Sequence, residues 1–162
     1  MKLTTRFLIL LAIIIGFIPA SLAGKSWTAN EIALVKKCED ALSYRRFRPM
    51  IEAAEQLRDE SLKSQNREAY DMALAFRLYG SVMAETDSVA DRMVQEATAT
   101  VTKSDYATKR AAAWLNAALA EYSISEIDYS RATGFALNAL NGAKDLHLYD
   151  LSVVALGQLS RI

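Results

Sequence analysis

Between Gly24 and Ile162 the chain carries a single proline, Pro49, in 139 residues. Proline lacks an N–H and clashes with the preceding turn, so its near absence leaves helices free to run uninterrupted. The same stretch holds 24 alanines and many Glu, Lys, Arg, Leu and Gln, the best helix formers. Nowhere do apolar and polar residues alternate around β-branched side chains, as a half-buried strand requires. The sequence predicts an all-α chain. Short polar breaks divide it into seven helices, at about 29–44, 49–63, 67–85, 89–102, 106–122, 129–146 and 150–162. Residues that accept hydrogen bonds from orphan N–H groups stand where helices should start: Thr28 or Asn30, Asp87 or Ser88, Ser104 or Asp105, and Asp150. Pro49 falls in a first turn, where its missing N–H costs nothing.

The first 23 residues read as a targeting signal. Lys2 and Arg6 precede an apolar run, residues 7–18, which Pro19 breaks. Ser21-Leu22-Ala23 then places small residues at the first and third positions before Gly24, in the order of a cleavable leader. Cleavage after Ala23 gives an exported, periplasmic or secreted chain. If residues 7–24 stayed in place, they would form a membrane anchor just long enough to span. Without the leader, 17 cations face 19 acids. That balance leaves no electrostatic footprint for nucleic acid. One cysteine builds neither a disulfide framework nor a Cys-based zinc site. Cys38 reads as a small buried apolar residue, with an intermolecular disulfide as the alternative.

A repeat is the most informative pattern. In the odd-numbered helices a large residue is followed four positions later by a small one: Leu34 and Cys38, Phe76 and Gly80, Trp114 and Ala118, Val153 and Gly157. In the even-numbered helices Ala90, Val94 and Ala97 match Ala132, Ala136 and Ala139, and more loosely Met50, Ala54 and Leu57. Two antiparallel helices cannot bury their apolar faces alone, whereas stacked pairs can. Small residues are needed where helices cross closely, and large ones fill the gaps between.

These residues resemble the tetratricopeptide repeat family, over about residues 29–162. The divisions would be 29–63, 67–102, 105–146 and a half repeat, 150–162. The spacing exceeds the family's usual 34 residues, and no proline closes a repeat. The resemblance implies stacked antiparallel helix hairpins with a concave binding face on the first helix of each pair. Long, divergent repeats of this kind are similar to the exported sensory regions of some bacterial membrane-bound regulators. Carried onto this chain, the groove would comprise Leu74, Arg77, Ser81 and Ala84, then Ala112, Leu115, Leu119 and Tyr122, then Gln158 and Arg161.

No catalytic constellation is visible. His147, the one histidine, falls in a turn, and no Gly-rich phosphate loop, HExxH or GxSxG occurs. Glu39-Asp40 and Asp59-Glu60 read as solvated helix faces. No metal or cofactor is implied, and no enzyme is expected. Arg45, Arg46 and Arg48 form a basic cluster at the end of the first helix. They suit a helix C-terminus or, alternatively, form a small anion-contact patch. The expectation is an exported, non-catalytic protein–protein or peptide interaction module, the sensory part of a larger regulator by analogy. The alternative is a structural bundle that self-associates as a homodimer through its last helix, whose apolar residues are not obviously all packed inward.

Overall fold

The computed structural model describes residues 26–84, 90–103 and 109–162. Among them lie seven α-helices and no strand: α1 (Ala29–Ser43), α2 (Phe47–Ser64), α3 (Arg67–Met83), α4 (Ala90–Val101), α5 (Lys109–Ser125), α6 (Tyr129–Asp145) and α7 (Tyr149–Leu159). The leader and the expected caps at Asp87, Ser88, Ser104 and Asp105 lie outside the described residues.

Thr28 caps α1. Its hydroxyl accepts from the Glu31 N–H at 3.1 Å, and the Glu31 carboxylate accepts from the Thr28 N–H at 2.8 Å, closing a capping box. Helix α2 starts two residues earlier than expected. Pro49 is its third residue, still within the turn whose N–H groups lack intrahelical acceptors. The Met50 N–H makes the bond to the Arg46 carbonyl at 3.1 Å. Asp150 does not cap α7; Leu148 holds that position with no side-chain bond.

One turn recurs four times. At Arg45, Gln65, Ile127 and His147 the backbone is left-handed, with φ between 53° and 60°. The next residue's N–H reaches back five positions, Arg46 to Ala41, Asn66 to Ser61, Asp128 to Ser123 and Leu148 to Ala143, at 2.8–2.9 Å. This is the Schellman closure, which satisfies carbonyls at the end of each helix. It usually employs glycine, and here no glycine marks it. Hence the expected loop at 123–128 shrinks: α5 runs on to Ser125, and its turn needs only three residues.

Helices pack on their chain neighbours, and odd-numbered helices also pack on one another: α1 on α3, α3 on α5, α5 on α7. An ion pair, Arg110 to Glu39 at 2.8 Å, also ties α5 to α1. Helices α3 and α5 occupy the middle and are buried on almost every side. The small positions of the repeat sit in the core: Cys38, Gly80, Ala118, Ala97, Ala132, Ala136 and Ala139. A Cβ on Gly80 would lie 2.8 Å from Ile51 Cγ1, so α2 and α3 cross closely enough to exclude one. Phe76 and Trp114 fill the space between α3 and α5, their rings 4.8 Å apart and tilted 51°. In α7 the expected register fails. Val153 is 69% exposed and Gly157 faces open space; Leu151, Ala155 and Gln158 pack instead. Packed on α5 and α6, α7 buries whichever stripe faces them, here two residues earlier than the repeat implies.

Candidate functional site

An opening lies against the odd-numbered helices. It is a pocket of about 560 Å³. One wall comes from α1 and the following turn, with Glu39, Leu42, Ser43, Arg45 and Phe47. Tyr79 and Met83 of α3 and Trp114 of α5 contribute the middle. Asp150, Val153, Val154, Gly157, Gln158 and Arg161 contribute the α7 side. Apolar and aromatic surface with a few polar groups, at this volume, is the usual make-up of a ligand site.

Behind the α7 wall sits a buried polar knot. Glu121 of α5 is 3% exposed. Both terminal guanidinium nitrogens of Arg161 donate to it, one at 2.9 Å to Oε1 and the other to Oε2. Gln158 Nε2 donates to the Ala117 carbonyl at 2.8 Å and to Glu121 Oε2 at 3.1 Å. Both partners are acceptors, so the amide nitrogen must face them. Gln158 Oε1 is left with no partner among the described residues, and so is the Trp114 indole Nε1. An unmade hydrogen bond at a buried group is costly, so a donor and an acceptor orphaned in the walls of one pocket stand out. Burial pushes the Tyr79 hydroxyl up to about 12; the Glu121 charge adds to this, while Arg161 and Arg45 oppose it. The phenol is neutral at ordinary pH and able to donate.

The expected groove residues do not gather. Gln158 and Arg161 line this pocket. Leu115 and Leu119 are core residues, 0% and 1% exposed, and Ser81 is buried too, so none of the three faces a groove. Tyr122 turns toward α4, its hydroxyl 3.2 Å from Asp91 Oδ1. Arg77 and Leu74 line a second opening of about 380 Å³ between α2, α3 and α4, with Arg58, Tyr70, Arg92, Met93 and Glu96. There Arg77 pairs with Glu55 at 3.4 Å, and the Tyr70 hydroxyl donates to Glu96 at 2.9 Å. The error is one of rotation. The expected positions follow the Phe76–Gly80 stripe by one residue, about 100° around the helix; Tyr79 and Met83 lie about 60° to its other side. Sequence periodicity marks the packed stripe, but not which flank stays open.

The basic cluster is also dispersed. Arg45 follows the C-cap of α1 and enters the pocket. Arg46 lies over the Tyr44 ring at 5.2 Å and is the N-cap of α2, without a side-chain bond. Arg48 is exposed in the first turn of α2. That is the end where the helix dipole disfavours a cation, so the C-terminal dipole reading does not extend to it. Cys38 is fully buried, and burial raises its thiol to about 12. A disulfide to a second chain would require the core to open. His147 is exposed at a left-handed turn position. Among the described residues no three His, Cys, Asp or Glu side chains gather as a metal-binding group, and no helix is long and apolar enough to cross a membrane.

No protein-family model matches this chain, and neither does a curated protein or a solved structure.

Proposed function

We propose that this chain is an exported, non-catalytic helical-repeat module that binds a protein or peptide segment on the face made by its odd-numbered helices. The pocket shared by α1, α3, α5 and α7 carries this reading. Four elements separated in sequence converge on one cavity of apolar, aromatic and charged side chains, which a bundle that only buries its core has no need to keep. Packing between chain neighbours and between successive odd-numbered helices supports a stacked-hairpin arrangement of the kind tetratricopeptide repeats use. Export rests on the leader pattern alone, and its check is the N-terminus of the exported product, expected at Gly24. The binding face is checked by amide chemical-shift mapping with pooled random peptides. Shifts should concentrate at Tyr79, Met83, Trp114 and α7. Shifts confined to Arg77, Leu74 and α4, or none at all, would refute it.

A second reading is favoured by a specific surface. Tyr149, Val153 and Leu156 are exposed along one stripe of α7. Covering that stripe with a second copy would bury apolar area and produce a dimer. Sedimentation equilibrium separates the two: a monomer at high protein concentration discards self-association, whereas a dimer lost on Leu156→Ser supports it.

A further inference from the structure

We infer that the pocket takes a short apolar peptide with both termini free, a zwitterion rather than an internal segment of a folded partner. This rests on the binding reading above and names its ligand.

The charges facing the cavity are Glu39, Arg45, Asp150 and Arg161. Two of them are already satisfied. Glu39 is held by Arg110 at 2.8 Å, and Arg161 by the buried Glu121. Arg45 and Asp150 have no ion-pair partner among the described residues. One exposed cation in the turn after α1 and one exposed anion in the first turn of α7 are thus left over in the same pocket. A ligand with a single charge leaves one of them unmatched. A ligand carrying a carboxylate and an ammonium matches both.

The orphaned wall atoms point to the same chemistry independently. Trp114 Nε1 is a donor and Gln158 Oε1 an acceptor, both buried and unpartnered. A peptide bond offers the complementary pair, a C=O and an N–H. Both atoms are closed to solvent, so the charge pair, which is open to it, carries the ligand's class. The apolar surface of Met83 and Val154, with the Tyr79 ring, suits an apolar side chain between the two ends. A volume of about 560 Å³ holds two or three residues rather than a folded element.

The test uses the full chain carrying Trp27→Phe, so that Trp114 is the only indole reporter. The probes are leucyl-phenylalanine, its N-acetyl form, its C-terminal amide and the doubly blocked peptide. Binding is read by Trp114 fluorescence and by calorimetry. The free dipeptide should saturate, and each block should weaken it by about tenfold, the worth of one charge-assisted hydrogen bond. Arg45→Gln should abolish discrimination against the amide while keeping that against the acetylated form. Asp150→Asn should do the reverse, and Arg45→Lys should behave as the parent. Equal binding of the doubly blocked and free peptides overturns the zwitterion and leaves the binding face standing. No binding by any of the four, with shifts from longer pooled peptides intact, likewise overturns it. Loss of both signals overturns the binding reading as well.

Discussion

Substitution of Gly80 and Gly134 by alanine isolates the constraint that tertiary packing adds to the repeat. Both glycines sit inside helices, in α3 and α6. Alanine at either gains helix propensity of about 1 kcal/mol. At Gly134 nothing lies within 4 Å of the added Cβ, so the gain should appear in full. At Gly80 the Cβ would meet Ile51 Cγ1 at 2.8 Å, Met50 Cε at 3.0 Å and the Phe47 carbonyl oxygen at 3.4 Å. The Met50 terminus can swing aside. The Phe47 oxygen is at ordinary contact distance, whereas Ile51 Cγ1, close to the backbone on a β-branched side chain, has to give way. Overpacking of this kind costs about 1–3 kcal/mol. The propensity term is common to both sites and cancels in the comparison, so Gly80→Ala should be less stable than Gly134→Ala by about 1–3 kcal/mol. Urea unfolding followed by circular dichroism at 222 nm measures this, with unchanged m-values confirming that only stability moved. If the two variants unfold at the same urea concentration, α2 and α3 do not cross as closely as described. The small position of the repeat would then have no packing cause.

Three further outcomes follow from other parts of the molecule. Burial alone would raise the Glu31 pKa, but bonds from the Ser64 hydroxyl, the Thr28 N–H and the Asn66 amide outweigh it and hold the carboxyl below its ordinary 4.5. Its contribution is therefore complete above about pH 4.5 and lost as pH falls through the lower folded value; Glu31→Gln should flatten urea midpoints measured between neutral and acid pH, and an unchanged slope would refute the assignment. Ile127 is a β-branched residue at φ 60° and 72% exposed. Relieving the left-handed strain with Ile127→Gly outweighs the added unfolded-state entropy, for a net gain of about 0.5–1 kcal/mol, read as a higher melting temperature. Cys38 should react with a thiol reagent only as fast as the core opens, so its labelling rate should rise with urea in step with global unfolding.

The self-association reading and the pocket reading meet at α7. Val153 is both exposed along the outer stripe and part of the pocket wall. A second copy seated on that stripe would narrow access to the cavity, so dimerisation and peptide binding would compete. Weaker peptide affinity at higher protein concentration would reveal the coupling.

The sequence by itself determined the class, the number of helices and most of the small core positions. Those follow from local physics: helix propensity, one tolerated proline, capping groups at Thr28, and the need for Cys38, Gly80 and Ala118 where helices cross. The repeat resemblance placed Gln158 and Arg161 in one groove, and the basic cluster marked Arg45, without bringing it to the other two. Only the tertiary structure decided which flank of each helix stays open. Tyr79, Met83 and Trp114 look like core residues in the sequence, because an aromatic wall and an aromatic core obey the same 3.6-residue period. Leu115 and Leu119 seemed available because periodicity cannot reveal that α5 is wrapped by α3, α6 and α7 together. The left-handed turns at Gln65, Ile127 and His147 were silent for a related reason. Each is held by the Schellman bonds and packing of two whole helices, which can impose a backbone shape that the residue itself does not prefer.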